Sequence, residues 1–134
     1  MISVFITVNA SLEKVWDFWT NPKHIIHWNF AGDDWHCPNA ENNLKIGEKF
    51  NYRMEAKDGS VGFDFEAIYT KIIENQLIEY EMIDNRKVSI SFEKQQNLVL
   101  ITEKFDPENE NSIELQQQGW QMILDNFKKY IEKK

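Results

Sequence analysis

Several features that would point to particular protein classes are scarce in this sequence. One cysteine, Cys37, in 134 residues excludes an internal disulfide framework and fits a reducing cytoplasm. The three prolines are isolated and no repeat or low-complexity tract occurs, so residues 1–134 are expected to form one domain. No apolar run approaches the roughly 20 residues of a membrane-spanning helix. The first residues lack the basic and apolar regions of a secretory signal, so we expect a cytoplasmic protein.

Basic residues are also in deficit, whereas aromatic residues are abundant. Fifteen Lys and Arg stand against 22 Asp and Glu, a formal net charge of −7, which argues against a nucleic-acid partner because such partners require clustered basic residues. Nine Phe, five Trp and four Tyr exclude intrinsic disorder. The positions of these rings are therefore the main clue to function.

The first third of the chain predicts one strand and two short helices. Alternating β-branched residues over 2–8 predict a strand, and Ser11 is a suitable N-cap for the helix that follows. The apolar stripe of that helix consists of Leu12, Val15, Trp16 and Trp19. Pro22 can open a second short helix that continues to about Trp28. Residues 29–47 predict a long irregular loop.

From Gly47 the hydrophobic period changes to two, which predicts five further strands in an antiparallel meander. Short turn sequences separate these strands: Asp58-Gly59, Glu74-Asn75, Asp84-Asn85 and Gln96-Asn97. A final helix of about 20 residues, capped either by Asn111 with Glu114 or by Ser112, would span about 30 Å and so cover the sheet. Six strands and these helices predict the α+β class.

Large apolar side chains dominate one face of the predicted sheet. They are Phe50, Tyr52, Met54, Phe63, Phe65, Tyr80, Met82 and Phe92. Such a set either packs solidly against the long helix or holds it away from a curved sheet, leaving an apolar cavity. Residue spacing does not separate these two arrangements.

A series of short motifs resembles a known family. In family order they are Val15-Trp16, Thr20-Asn21-Pro22, Trp28, Ile46-Gly47 with Phe50, Asp58-Gly59, and Gly119-Trp120 with Leu124. The chain resembles the START-like, or SRPBCC, superfamily, in the branch of activator of heat-shock-protein ATPase homologues. The resemblance covers essentially the whole chain and implies a helix-grip (Bet v-like) fold, in which a curved antiparallel sheet wraps round the C-terminal helix. It also implies an apolar cavity for lipids, polyketides or similar molecules, and it carries over no catalytic motif.

Metal-ligating and nucleophilic residue types occur without the spacing that their chemistry requires. Asp33, Asp34, His36 and Cys37 lie within five residues, but they match no zinc-ligand spacing. The pair His24 and His27 is more simply explained as solvated helix residues. A reactive Cys37 would need a facing base, so we expect an unreactive, partly buried thiol. We predict no metal and no cofactor.

Glu103 is the one acidic residue whose environment the sequence leaves undecided. If Val99, Ile101 and Phe105 face inward, alternation buries the carboxylate with them. If Leu98, Leu100 and Thr102 face inward instead, Glu103 is solvated. Solvation is the commoner outcome for Glu, but a buried carboxyl could serve as an acid or as a ligand anchor.

These observations favour a domain that binds a small hydrophobic molecule. The residues predicted to line its cavity are Trp19, Trp28, Phe50, Tyr52, Phe63, Phe65, Tyr80, Phe92, Glu103, Trp120 and Leu124, with Trp35 and His36 at the mouth. One alternative is a cyclase-, hydrolase- or lyase-like enzyme that uses His36, Glu103 or Tyr80 as acid and base. Another is a co-chaperone-like modulator of a heat-shock ATPase. A homodimer is compatible with the sequence, and a chaperone partner has no positive signal in it.

Overall fold

A computed structural model describes residues 1–134 and contains seven strands and three helices. The strands are β1 (Ile2–Val8), β2 (Trp35–Asn42), β3 (Lys49–Ala56), β4 (Gly62–Ile73), β5 (Leu77–Met82), β6 (Lys87–Gln95) and β7 (Leu98–Phe105). The helices are α1 (Leu12–Thr20), α2 (Pro22–Ile25) and α3 (Ile113–Glu132). None of the three has both the length and the apolar composition needed to cross a membrane.

All seven strands form one antiparallel sheet in the order β1-β7-β6-β5-β4-β3-β2. Six of them follow chain order, which confirms the predicted meander, and β1 closes the other edge by pairing with β7. The sheet curls round α3 as a half-barrel. The predicted α+β helix-grip fold is therefore confirmed.

The predicted strand count was one too low, because β2 lies within residues 29–47, the segment predicted to be irregular. Pro38 and the neighbouring polar residues conceal its alternation, and its register shifts between His36 and Asn39. β2 pairs only with β3 and forms an edge of the sheet. An edge strand tolerates a proline because one side of its backbone needs no partner.

The helix boundaries depend on side-chain caps. Ser11 accepts a hydrogen bond from the backbone N–H of Lys14 at 3.2 Å, which confirms it as the N-cap of α1. Ser112 caps α3 by accepting from the N–H of Leu115 at 3.1 Å, which decides between the two predicted caps. The second helix ends at Ile25, earlier than predicted, and the chain continues to Trp28 in turns.

Side chains of α3 hold the helix against the free edge of β1. They donate to alternate backbone carbonyls of that strand: Gln117 to Ser3 at 3.2 Å, Gln121 to Phe5 at 3.1 Å and Lys128 to Thr7 at 2.7 Å. These bonds satisfy outward-facing acceptors that an edge strand otherwise leaves open. They also fix the position of α3 over the concave face of the sheet.

The solid core lies under the C-terminal half of α3. Leu124, Phe127 and Ile131 are fully buried there, against α1 and the sheet. Phe92 packs edge-on between Trp16 and Trp19, with ring centroids 5.5 and 5.7 Å away. Under the N-terminal half of α3 the layers separate, and this is where the candidate site lies.

Candidate functional site

A cavity of about 350 Å³ lies between the N-terminal half of α3 and the sheet. Its apolar wall comprises Trp19, Trp28, Ala31, Phe50, Tyr52, Met54, Phe63, Phe65, Tyr69, Ile78, Tyr80, Met82, Ile90, Gly119, Trp120 and Ile123. Its polar lining comprises Asn29, Arg86, Glu103, Glu108, Asn111 and Gln116. The volume lies within the range of small-molecule sites, about 300–1,000 Å³.

The mouth of the cavity lies at one end of the sheet. Phe63 at the start of β4 is 46% exposed, and Arg86 lies in the turn between β5 and β6. The pairing of Ala67 with Met82 brings these two segments to the same end of the sheet. The segment after β7, which includes Asn111, reaches that end as well. The exposed and half-buried lining residues are therefore gathered at one opening.

Stacked rings build the sheet side of the wall. The rings of Phe50 and Tyr52 are stacked with centroids 4.4 Å apart, and Tyr80 meets Phe50 edge-on at 4.9 Å. On the helix side, Trp120 stacks on Phe105 with centroids 3.9 Å apart. Trp120 is only half-buried. Such rings hold one another in place by offset and edge-to-face contacts, so the wall is preorganised.

Gly119 leaves space on the helix side. A Cβ added at this position would meet no other atom within 4 Å, and the residue borders the cavity. The missing side chain therefore adds to the free volume on the helix side of the cavity.

A chain of hydrogen bonds leads away from the cavity through Tyr69. Its hydroxyl donates to Oδ1 of Asn42 at 2.6 Å. The amide of Asn42 in turn donates to the backbone carbonyl of Thr20 at 2.6 Å. Burial raises the pKa of Tyr69 to about 12 and that of Tyr52 well above its usual range. Both phenols are therefore neutral near neutral pH, and the hydroxyl of Tyr69 is engaged in a structural hydrogen bond.

Glu103 faces the cavity, the less common of the two arrangements that the sequence allowed. It lies on β7 between Val4 of β1 and Ile90 of β6, and its exposed fraction is 5%. Burial alone raises the pKa of this carboxyl to about 8. Every completely enclosed side-chain oxygen in the structure has a hydrogen-bond partner. The carboxyl oxygens of Glu103 have no such partner, so they are not completely enclosed and must border the open cavity.

The polar residues at the mouth are held by local bonds. The side-chain oxygen of Gln116 accepts from the N–H of Glu108 at 2.8 Å, and its amide donates to the carbonyl of Asn111 at 2.9 Å. Arg86 forms an ion pair with Asp84 at 2.7 Å. These groups keep their hydrogen-bond partners within the protein and frame the opening without reaching Glu103.

The structure places four of the predicted site residues outside the cavity. Phe92 and Leu124 belong to the solid core, because they lie under the part of the layer that α1 fills. Trp35 packs edge-on against Phe63, at 5.9 Å between centroids. His36 lies on the edge strand β2 with Nε2 3.9 Å from a carboxylate oxygen of Glu55. The acid–base combination of His36 with Glu103 is thus not assembled.

The other nine predicted residues border the cavity, together with residues that were not singled out. Met54 and Met82 share the predicted inward face with the aromatic residues, and this alternation is the signal that indicates their place in the wall. Ile123 lies on the same stripe as Trp120. Arg86 and Gln116 gave no signal, because a turn arginine and a helix glutamine are ordinarily solvated.

The histidines and the cysteine are not gathered into a reactive site. His24 stacks on Phe18 at 3.8 Å and its Nδ1 is 2.8 Å from the hydroxyl of Tyr130. No three His, Cys, Asp or Glu side chains lie close enough together to hold a metal. The Cys37 thiol donates to the carbonyl of Asn39 at 3.5 Å.

The buried Cys37 thiol is expected to resist alkylation in the folded protein. Its exposed fraction is 3%, and burial raises its pKa to about 11, so roughly one molecule in a thousand carries the thiolate at about pH 8. We expect a thiol reagent to react at least about 100-fold more slowly with the folded chain than with the urea-unfolded chain. Equal rates in the two states would contradict this placement.

The comparisons with known proteins were made against families, curated proteins and solved structures. The family model of Activator of Hsp90 ATPase homolog 1-like protein matches residues 9–132. No curated protein is significantly similar to the chain.

Solved structures reproduce the fold over nearly the full chain. An AHSA1-like protein from Aeromonas hydrophila is 36% identical with a TM-score of 0.90, over 98% of this chain and 93% of that one. A protein from Cytophaga hutchinsonii is 49% identical with a TM-score of 0.86, over 98% and 92% of the two chains. A protein from Chromobacterium violaceum shares the fold at 15% identity, with a TM-score of 0.84 over 96% and 94%. Taken with the match over residues 9–132, these likenesses show that the chain belongs to the Activator of Hsp90 ATPase homolog 1-like family.

Proposed function

We propose that the protein binds a small hydrophobic molecule in the cavity beneath α3. The observation that carries this proposal is the cavity itself, about 350 Å³ with a largely aromatic wall and a polar opening at one end. Apolar walls with a few placed polar groups are typical of sites that enclose small ligands. The acidic surface and the ion pairs outside the cavity play no part in it.

The aromatic wall favours a ligand with an apolar body. Phe50, Tyr52 and Phe65 present nearly parallel rings, with interplanar angles of 23°, 13° and 11° for the three pairs. Trp120 meets Phe65 edge-on at 6.3 Å between centroids, so the helix side and the sheet side of the wall are in contact there. A ligand packed against these rings would remove apolar area from water at about 25 cal/mol per Å². Burial of that area is the main driving force that we propose for binding.

Filling the gap at Gly119 is expected to weaken binding strongly without harming the fold. Gly119 borders the cavity and has room for a Cβ, so we expect the side chain of Gly119→Leu to occupy cavity space, while loss of a mid-helix glycine stabilises α3 by up to about 1 kcal/mol. We expect Nile red, a neutral apolar dye, to bind the parent protein, and its affinity for the variant to fall at least about tenfold. Dye fluorescence titration and native mass spectrometry measure binding, and urea unfolding measures stability.

The matched control is Gln118→Leu, which adds the same side chain at the neighbouring, exposed position of α3. This variant should bind the dye as the parent protein does. Equal dye binding by Gly119→Leu and by the parent protein would place the dye elsewhere on the molecule and contradict the proposal.

A further inference from the structure

Glu103 and Tyr80 border the cavity, and neither side chain forms a hydrogen bond within the protein. Glu103 is 5% exposed, and its carboxyl forms no hydrogen bond or ion pair with another protein group. The hydroxyl of Tyr80, on β5, also borders the cavity, and a charge on Glu103 would raise the pKa of this phenol further. The hydroxyl of Tyr69, by contrast, donates to Asn42, whose amide donates to the carbonyl of Thr20. The side chains of Glu103 and Tyr80 are therefore available to form hydrogen bonds with a ligand in the cavity.

No cation compensates Glu103. Arg86, from the turn between β5 and β6, is paired with Asp84 at 2.7 Å, and only burial, with no neighbouring positive charge, moves the pKa of Glu103. Glu108 and Arg86 bring one charge of each sign to the mouth, and no histidine borders the cavity. At neutral pH most molecules therefore carry Glu103 as a neutral acid, because its pKa of about 8 lies above that pH. The O–H of a neutral carboxyl is a hydrogen-bond donor.

The neutral, protonated state of Glu103 determines which chemical group of a ligand it can bind. An ammonium group would have to lose its hydration, and Glu103 would have to release its proton to solvent before an ion pair could form. Burying such a pair recovers the desolvation cost only with good geometry. A carboxylate would place a second acidic group beside Glu103 in a space with no free cation. An uncharged carbonyl oxygen accepts hydrogen bonds, carries no charge to desolvate, and meets two neutral donors.

We propose that Glu103 anchors an uncharged carbonyl group of the ligand, a ketone, ester or amide, whose apolar remainder lies against the aromatic wall. This inference rests on the proposed function, since it assigns the polar contact within the same cavity. Tyr80 borders the same cavity and is close enough for a charge on Glu103 to affect its pKa, so it is the second donor that this proposal assigns to the oxygen.

A series of probes that share one chain length tests the assignment. We compare undecane, methyl nonyl ketone and undecylamine as competitors of Nile red between about pH 6 and about pH 9. At about pH 6 the ketone should bind roughly tenfold more tightly than the alkane, the value of one buried hydrogen bond. That preference should decline as the pH rises through about 8, where Glu103 loses its proton.

Two substitutions of similar size separate hydrogen bonding from shape. In Glu103→Gln the amide donates at every pH, so the ketone preference should persist and lose its pH dependence. In Glu103→Leu the carboxyl donor is gone and only Tyr80 remains, so the ketone preference should fall to about threefold or less and show no change through about pH 8. Thermal melts establish that both variants are folded before binding is measured.

Each of the following results would contradict a specific part of the proposal. Tighter binding of undecylamine that increases with pH and disappears in Glu103→Gln would make the site an ammonium site. A full ketone preference in Glu103→Leu would place the carbonyl elsewhere. If neither Nile red nor any member of the series binds, the proposed function fails and this inference fails with it. If undecane binds but the ketone holds no advantage, only the inference fails.

Discussion

The free energy of unfolding is expected to decrease with rising pH between about pH 5 and about pH 8, by roughly 1.4 kcal/mol per unit from Glu103 alone. Burial raises the pKa of this carboxyl from 4.5 to about 8 in the folded protein. The total effect across the window is on the order of 4 kcal/mol. That is a large share of the 5–15 kcal/mol typical of a whole domain, so the effect should be readily visible.

The sign follows from the proton count of the two states. Between the unfolded and the folded pKa, the folded protein holds a proton on Glu103 that the unfolded chain has released. Raising the pH therefore favours the unfolded chain, which is opposite to the usual effect of a salt-bridged carboxylate. The stabilisation is complete below about pH 4.5 and is lost by the time the pH passes about 8.

Urea unfolding at a series of pH values, for the parent protein and for Glu103→Gln, measures the effect. The difference between the two pH profiles isolates Glu103, because every other titrating group is common to both. Glu103→Leu should be more stable than the parent at about pH 8, since it removes an uncompensated buried carboxyl. Parallel pH profiles for the parent and Glu103→Gln would show that the carboxyl is ionised and hydrated inside the cavity.

The orientation of Glu103 illustrates what a sequence pattern leaves undecided. β7 carries apolar residues on both faces, with Val99 and Ile101 on one and Leu98 and Leu100 on the other. Alternation alone predicts a strand there but not which face turns inward. Pairing with both β1 and β6 determines the face, and β1 lies at the opposite end of the chain.

The meander and the long helix were predictable because each element has a strong local signal. Short polar turns separate the strands from β3 to β7, and a regular stripe runs through α3. β2 lacked such a signal because Pro38 interrupts it, and its existence depends on pairing with β3. Local patterns therefore predict elements that carry their own periodicity and miss an irregular edge strand.

The sequence pattern does not distinguish core residues from residues of the cavity wall, because the two differ only in what covers them in the folded protein. Phe92 and Tyr80 have the same alternation on neighbouring strands, yet Phe92 is enclosed by Trp16 and Trp19, whereas Tyr80 borders the open space. The difference arises from how α1 and α3 cover the sheet. Gly119 adds free space beside the cavity because it has no side chain, and a hydrophobic pattern does not reveal such a space.

Replacement of Trp28 is expected to be the most destabilising single change in the helical layer, at about 3–5 kcal/mol for Trp28→Ala. Trp28 is 2% exposed and packs against Trp19 and Phe127, with centroids 4.7 and 4.9 Å away. Its indole also donates to the backbone carbonyl of Phe18 at 3.0 Å. In a regular helix the Phe18 carbonyl would accept a hydrogen bond from the backbone N–H of residue 22. That residue is Pro22, which has no N–H to donate. The indole thus satisfies a buried carbonyl that the end of α1 leaves without a donor.

Trp28→Phe separates these two contributions, because it retains an aromatic ring but removes the donor. We expect it to cost about 1–3 kcal/mol, the penalty for leaving the Phe18 carbonyl unpaired. Trp35→Phe is the matched control: this half-buried ring lies outside the cavity, so the change should cost less than about 1 kcal/mol. Urea midpoints at an unchanged m-value measure all three. Parent-like stability in Trp28→Phe would mean that another group supplies the donor, and Trp28 would then contribute by packing alone.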